Sequence, residues 1–154
     1  MIHKTSIIES EFIGEGTNIW AFSHISKGAR IGKNCTIGEG VHIGPNVVIG
    51  DNCKIQNHAL IYEGVTIGSN VFIGPNVVTT NDLHPRAYGS WDIVKTTIEN
   101  YVSIGANSTV LCGINIKKGS MIGAGSVVAK DVPTYSLFLG NPAIFIRKID
   151  KRWL

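Results

Sequence analysis

The sequence predicts an all-β solenoid whose coils each have three flat sides. The chain of 154 residues contains 23 isoleucines and 13 valines but only 6 leucines. Such an excess of β-branched side chains favours strands over helices. Isoleucine also recurs every six residues through the first half of the chain, which indicates an internal structural repeat. An all-helical protein is therefore excluded.

The six-residue repeat forms two arrays. Isoleucine occupies every sixth position from Ile7 to Ile73, twelve times in succession. After an interval of 25 residues the series resumes at Ile98, Ile104, Val110, Ile116, Ile122 and Val128. Three hexads make one coil of 18 residues, and parallel hydrogen bonding stacks such coils about 4.8 Å apart. We expect a single domain (1–154) of about six coils (about 7–78 and 98–133), an extruded loop (79–97) and a C-terminal segment (134–154).

Two other positions of the hexad support this interpretation. Three residues after each repeated apolar residue, Gly or Asn fills 13 of 18 places, and both residue types tolerate the positive φ of a left-handed turn. Four residues after it, the side chain is mostly small or β-branched. Cys35 and Cys53 occupy this position one coil apart, so we expect them in the core rather than in chemistry. Cys112 is not assigned a role.

The charge distribution points to one end of the chain. The protein has 14 basic and 11 acidic residues, a net charge of +3, and the last eight residues alone carry Arg147, Lys148, Lys151 and Arg152 against Asp150. Basic residues gathered at one end do not indicate a nucleic-acid partner, which would need them spread over a surface. The basic end is either a solvated terminus or a site for a compact anion such as a phosphorylated cofactor.

Other compositional signals are mostly exclusions. The three cysteines lack the spacing of metal ligands, so the sequence predicts no metal site. It also contains no run of 18 apolar residues, which a membrane span would need. The chain starts without an apolar signal segment. We therefore expect a cytoplasmic protein with no membrane partner.

Several segments resemble the hexapeptide-repeat acyltransferases. The repeated Ile-Gly pairs, the segment 123–133 (GAGSVVAKDVP) and the segment 140–143 (GNPA) are similar to that family's own. The resemblance covers nearly the whole chain and implies a left-handed parallel β-helix. The left-handed sense comes from the resemblance alone, since the residue spacing does not show handedness. Parallel crossovers in other folds are right-handed.

The interval between the two arrays is the strongest candidate for a functional site. Loops longer than about 12–15 residues in a compact domain are usually functional or disordered. Within 79–97, His84 can exchange a proton near neutral pH, Asp82 can orient the ring or hold a substrate amine, and Asn81 is their polar neighbour. We assign these three residues to catalysis and Arg86 to substrate binding. Alternatively, Asn81-Asp82 forms a plain turn.

Residues one coil apart should stack, which adds candidate substrate contacts. Glu63 lies 18 residues before Asn81, so we expect it beneath the loop. His24 and His42 are also 18 residues apart and should share a corner; they are either ligands or surface residues. A second polar run contains Asn57 and His58, where His58 takes a turn position usually held by Gly or Asn.

The stretch 80–86 (TNDLHPR) is similar to the branch of the family that acylates nucleotide-linked amino sugars, where the His of a His-Pro pair is the usual base. The resemblance implies an N-acetyltransferase that uses acetyl-CoA on an amino sugar carried by dTDP or UDP. It also implies a homotrimer with sites between subunits. By resemblance, the cofactor contacts Gly105, Ala106, Ala124 and Lys130, and its phosphates meet Arg147 or Lys148.

Three alternative functions stay open. A sugar O-acetyltransferase would use the same fold with a hydroxyl acceptor, and would depend more heavily on His84. A zinc carbonic anhydrase of the same solenoid type would need three converging histidines, for which His24, His42, His58 and His84 are the candidates. A non-catalytic solenoid would leave the loop and the basic end without a purpose.

Overall fold

The hexads fold as short strands joined by tight turns. In the computed structural model, which describes residues 1–153, the strands stack into three flat parallel sheets that we call faces 1, 2 and 3. Face 1 contains β1 (Ile7–Ile8), β4 (His24–Ile25), β7 (His42–Ile43), β10 (Leu60–Ile61), β13 (Val78–Thr79), β16 (Thr109–Val110) and β19 (Val127–Val128). The sequence runs from face 1 to face 2 to face 3 and back, once per coil.

The other two faces follow the same rule. Face 2 contains β2 (Phe12–Ile13), β5 (Arg30–Ile31), β8 (Val48–Ile49), β11 (Val65–Ile67), β14 (Thr96–Ile98) and β17 (Asn115–Ile116). Face 3 contains β3 (Asn18–Ile19), β6 (Thr36–Ile37), β9 (Lys54–Ile55), β12 (Phe72–Ile73), β15 (Ser103–Ile104), β18 (Met121–Ile122), β20 (Ser136–Gly140) and the antiparallel β21 (Ala143–Lys148). A single 3₁₀ turn, Lys151–Trp153, follows.

The predicted solenoid is confirmed. Residues 18 apart are direct partners, as Ile25 is with Ile43 and Ile43 with Ile61, and these side chains are fully buried. The inward isoleucines thus form a continuous apolar core along the axis. The parallel sheets are consistent with the left-handed helix that the family resemblance implies.

Two details of the repeat differ from the sequence prediction. Ile7 does not point inward but is 59% exposed, and Ile8 takes the inward place beside Ile25, because the first turn is one residue short. At the end of the first array, Thr79 is fully buried in β13 at the position where the isoleucine series would continue. The extra strands β13 and β20 give about seven turns instead of six, and the loop shortens to residues 80–95.

The turns have the left-handed geometry that the Gly and Asn pattern predicted. Asn34, Asn46 and Asn52 have φ near +56°, as do further asparagines in the same place. His58 shares this conformation, with φ of +59°, and its ring stacks above Gly40, where a Cβ atom would collide with it. Gly40 is therefore required at that place by close approach as well as by its own positive φ.

The remaining fold features concern cysteines and helices. Cys35 and Cys53 are fully buried one above the other, as expected for core residues. Within residues 1–153, no helix has the length and apolar character that a membrane crossing requires.

Candidate functional site

The loop 80–95 leaves the solenoid where face 1 turns into face 2. Its two ends are fastened together, since the Val94 N–H donates to the Asn81 carbonyl oxygen at 2.9 Å. The Thr80 N–H donates to the Val110 carbonyl oxygen, and the Cys112 N–H donates to the Thr80 Oγ1, both at 2.9 Å. The base of the loop is thus anchored to the coil that follows it.

Two glycines make room for the returning end of the loop. A Cβ atom on Gly64, one coil below, would lie 2.8 Å from the Ile93 Cγ2. One on Gly113, in the coil above, would lie 3.1 Å from the Val94 Cγ1. Both glycines also have positive φ, at +95° and +83°. Val94 therefore passes through a gap that side chains at these positions would close.

Arg86 organises the middle of the loop. Its guanidinium donates to the His84 carbonyl oxygen at 2.8 Å and to the Ser90 carbonyl oxygen at 2.7 Å. The same group lies 3.9 Å from the Asp82 carboxylate. Asp82 in turn accepts the His84 N–H at 2.8 Å, which is an Asx turn of the kind that the plain-turn alternative anticipated. In this chain Arg86, assigned to substrate from sequence, holds the loop's own backbone.

A cavity of about 550 Å³ lies between this loop and the coils. Its walls include the polar residues Asn81, Asp82 and Arg86 and the apolar residues Tyr62, Leu83 and Trp91. The Asp82 side chain is only 9% exposed, so its carboxylate is shielded from water inside a largely apolar enclosure. Such a carboxylate is well suited to bind a cationic or hydrogen-bond-donating group of a ligand.

Asn81 and Asp82, which the sequence assigned to catalysis, lie in the cavity wall, and the sequence missed other parts of that wall. His84 is exposed and is not among the residues that line the cavity. Glu63 lies one coil below the loop as expected, but it accepts a hydrogen bond from the Asn46 side chain at 3.0 Å. Its neighbour Tyr62 lines the cavity instead. Stacking arithmetic could have found Tyr62, which lies 18 residues before Thr80.

His24 and His42 form a column that leads to the cavity. They are direct partners on the outside of face 1 rather than at a corner, with ring centroids 5.3 Å apart. The His42 ring is 5.6 Å from the ring of Tyr62, and His24 lies 3.2 Å from the Glu9 carboxylate. Partial burial, together with the charge of His24, lowers the pKa of His42 below its usual 6.5.

Asn57 and His58 are not brought to the cavity. They lie in the turn from face 3 to face 1, where Asn57 accepts the Glu39 N–H at 3.2 Å. Asn57 also borders a separate small depression of about 170 Å³ beside Trp20. Their contacts are those of a turn that fastens one coil to the next.

The residues proposed for the cofactor fall into three groups. Gly105, Ala106 and Ala124 stack at the turn from face 3 to face 1, where a Cβ on Gly105 would lie 2.5 Å from the Ala124 nitrogen. Lys130 is exposed at the turn from face 1 to face 2, two coils above the loop. Arg147 and Lys148 lie on β21 at the edge of face 3.

The two basic residues of β21 differ in their surroundings. Arg147 is exposed and donates to the Lys148 carbonyl oxygen at 3.2 Å. The Lys148 ammonium is held by the Thr134 carbonyl oxygen and by the Ser136 hydroxyl, both at 3.3 Å. Arg147 is therefore better placed than Lys148 to meet an anion outside the chain.

The described part of the chain, residues 1–153, contains no group of three His, Cys, Asp or Glu side chains close enough together to hold a metal ion.

Comparison with known proteins identifies the family. The chain matches the family described as bacterial transferase hexapeptide (six repeats) over residues 12–45, 46–81 and 95–130. The chain belongs to this family of transferases, and the resemblance predicted from the repeat is confirmed. The interval between the second and third matched segments falls within the loop that borders the cavity.

One relative is similar over most of the chain. This protein is 46% identical over 148 residues to dTDP-3-amino-3,6-dideoxy-alpha-D-galactopyranose 3-N-acetyltransferase of Aneurinibacillus thermoaerophilus. The alignment covers 92% of this chain and 74% of that relative.

Solved structures share the fold at lower identity. PerB from Caulobacter crescentus, crystallised with CoA and GDP-perosamine, superposes with a TM-score of 0.75 at 22% identity. The match covers 88% of this chain and 58% of PerB. AntD, an N-acyltransferase from Bacillus cereus crystallised with dTDP-4-amino-4,6-dideoxyglucose and Coenzyme A, gives 0.69 at 19% identity, covering 99% of this chain and 82% of AntD. At these identities the likeness concerns the fold.

Proposed function

We propose that this protein is an N-acetyltransferase that moves the acetyl group of acetyl-CoA to the amine of a nucleotide-linked amino sugar, such as a dTDP- or UDP-linked 3-amino sugar. The observation that carries the proposal is the 46% identity, over 92% of the chain, to an enzyme named for that reaction on a dTDP-linked sugar. We further propose that residues 1–154 act as a single domain.

The cavity supplies the chemistry that an amine acceptor needs. The shielded Asp82 carboxylate binds the amino group, and the Asn81 amide gives a second polar contact beside it. The neutral amine attacks the thioester carbonyl carbon, a C–N bond forms, and the C–S bond breaks. The proton that the amine loses passes to a base or to the departing thiolate. Placement of the amine is therefore as important as its deprotonation.

His84 is the proposed base, and its exposure bears on where the substrate sits. His84 is exposed and does not line the cavity, whereas the Asp82 side chain is only 9% exposed and does line it. A site that uses both residues extends beyond this cavity. This supports a homotrimer in which a neighbouring subunit completes the site. The loop also exposes the aromatic side chains of Tyr88 and Trp91, at 80% and 68%, which a neighbouring subunit would cover in this arrangement.

The remaining contacts are assigned by position. Glu63 and the His24–His42 column lie next to the cavity wall and extend the proposed sugar site. Asn57 and His58 are the more distant proposed contacts, in the turn from face 3 to face 1. Acetyl-CoA is the proposed co-substrate. The stacked backbone at Gly105, Ala106 and Ala124 receives its chain, with Lys130 alongside and Arg147 or Lys148 near its phosphates. Three cysteines in the thiol form fit a reducing, cytoplasmic location.

The direct test is a screen of nucleotide-linked amino sugars with acetyl-CoA, following release of the free thiol. We expect turnover with a dTDP- or UDP-linked 3-amino sugar and none with the matched sugar that carries a hydroxyl in place of the amine. Turnover with the hydroxyl sugar would instead support an O-acetyltransferase. Thiol release with neither class would contradict the proposal, and sedimentation of a monomer under assay conditions would contradict the trimer.

A further inference from the structure

One hydrogen bond recurs along the whole solenoid. The residue after each inward side chain donates its N–H to the carbonyl oxygen of the inward residue one coil later. Gly44 donates in this way to Ile61 at 2.7 Å, and Gly50 donates to Ile67 at 2.9 Å. Seventeen such bonds, of 2.7 to 3.0 Å, join the coils of the described chain.

Tyr62 is the exception within residues 1–153. Its N–H donates at 2.9 Å to the side-chain oxygen of Thr79, not to the Thr79 carbonyl oxygen. The Thr79 hydroxyl in turn lies 3.5 Å from the Leu60 carbonyl oxygen. The register reflects the change, because β10 and β13 share only the pair Leu60 and Val78. The ladder between coils is broken at this rung.

The residue responsible is unusual for its place. Thr79 is fully buried at an inward position that is isoleucine six residues earlier and valine one coil later, at Val110. A threonine there buries a hydroxyl, which needs a partner in the core. The Tyr62 N–H is that partner. The Thr79 hydroxyl oxygen therefore accepts the hydrogen bond that the Thr79 carbonyl oxygen would accept in a regular rung.

The break coincides with the cavity. Tyr62, Thr79 and Thr80 all line it, whereas the intact rungs directly below and above, Gly44 to Ile61 and Thr80 to Val110, keep the usual bond. An aliphatic residue at position 79 has no such acceptor. The Tyr62 N–H would then either return to the ladder, which moves the cavity wall, or stay without a hydrogen-bond partner, which is unfavourable.

We propose that Thr79 is a positioning residue for acyl transfer. Its buried hydroxyl holds the Tyr62 backbone off the ladder between coils, and this sets the wall against which the acceptor sugar binds. The inference rests on the proposed acetyltransferase function for its kinetic consequence. The altered hydrogen bond is independent of that function.

Two substitutions separate the hydroxyl from the packing. Thr79→Val keeps the shape of the side chain and removes the hydroxyl, whereas Thr79→Ser keeps the hydroxyl and removes a methyl group. We expect Thr79→Val to lower kcat/KM for the amino sugar by about 10- to 100-fold, the usual cost of a misplaced substrate. The KM for acetyl-CoA should stay within about twofold, and Thr79→Ser should recover most of the loss.

The matched control is Thr17→Val. Thr17 is a buried threonine whose hydroxyl also accepts a backbone N–H, from Cys35 at 3.0 Å, but it lies between faces 2 and 3, away from the cavity. Loss of the Thr17 hydroxyl should lower the stability of the protein without affecting kcat/KM. Equal activity of Thr79→Val and Thr79→Ser, or lower activity of Thr79→Ser, would overturn the positioning role.

A second measurement does not depend on turnover. Amide hydrogen exchange, resolved at Tyr62, should change in Thr79→Val and keep its wild-type rate in Thr79→Ser. An unchanged Tyr62 rate in Thr79→Val would overturn the proposal even if activity fell. If wild-type protein acetylated no amino sugar, the proposed function would fail, and the exchange result would still decide whether Thr79 breaks the ladder.

Discussion

Two turns of the same solenoid, built from the same hexads, behave in opposite ways. Between faces 2 and 3, small buried side chains stack without interruption: the Cys35 N–H donates to Thr17 Oγ1 at 3.0 Å and the Cys53 N–H approaches Cys35 Sγ at 3.4 Å. Where face 1 turns into face 2, the hydrogen-bond ladder between coils is broken at Thr79, at the end of β13, and the loop 80–95 leaves the coil there.

The difference shows where a repeat protein can place a site. A hexad that satisfies every hydrogen bond from coil to coil keeps the regular outline of the solenoid. At the interrupted turn, the loop folds back over the coils and encloses a cavity with a shielded carboxylate. The regular turns therefore carry stability, and the irregular turn is the candidate for chemistry.

The largest effect is expected in the regular part. Ile43→Asp would place an unpaired charge at a fully buried position. The cost of burying that charge is large compared with the usual net stability of a domain, about 5–15 kcal/mol. We expect loss of the cooperative thermal transition, measured by circular dichroism. Lys54→Asp, on the exposed side of β9, is the control and should melt close to wild type. A normal melting temperature for Ile43→Asp would mean that the register is wrong.

At the irregular turn, the gap for the loop should be sensitive to a single methyl group. Gly64→Ala and Gly125→Ala both force alanine into a left-handed conformation, at about 1–2 kcal/mol each. Only at Gly64 does the new Cβ also collide with the loop, at Ile93, since nothing lies within 4 Å at Gly125. Gly64→Ala should therefore lose more stability in urea unfolding and also lower kcat/KM. Equal losses of stability in Gly64→Ala and Gly125→Ala would show that the loop moves away from the new Cβ atom at little cost.

A smaller effect is expected at the basic end. Arg147→Ala should weaken acetyl-CoA binding by about fivefold, the scale of an exposed ion pair, and should weaken the analogue without its 3′-phosphate less. Lys148→Ala should have less effect on binding because its ammonium is already held by Thr134 and Ser136. Calorimetry that found both ligands equally weakened by Arg147→Ala would place the phosphate contact elsewhere.

The smallest effect is a pH dependence of stability. The pKa of His42 is lowered by partial burial and by His24, so below about pH 6.5 the unfolded chain takes up a proton that the folded protein resists. Stability should fall as the pH drops from about 6.5 towards the lowered pKa. His42→Gln should flatten this part of the curve in melting experiments between pH 7.5 and 5. An unchanged slope would assign the acid sensitivity to other groups.

The sequence predicts the core well because one rule generates it. A six-residue period with isoleucine inside specifies both the face and the stacking partner of almost every strand. The rule fails at Ile7, where a turn is one residue short, and at Thr79, where a polar residue takes an apolar place and ends the visible series.

The site is less predictable because it depends on departures from that rule. Stacking arithmetic brings Glu63 beneath Asn81 and Tyr62 beneath Thr80, but the six-residue period does not say which of these two side chains lines the cavity. The hydrogen bonds that Arg86 makes within the loop also could not be predicted from its residue type. Its guanidinium is held by carbonyl oxygens of a loop whose path no periodicity describes.

The central claim is that this loop performs the chemistry, and the kcat of two loop variants tests it most directly. His84→Ala and Asp82→Asn would be assayed with acetyl-CoA and the amino sugar that the wild-type protein accepts. We predict that both lose activity, His84→Ala the more, within the range of about 10²- to 10⁴-fold that a general base contributes. Near-normal turnover by both variants would remove the loop from the reaction and contradict the account.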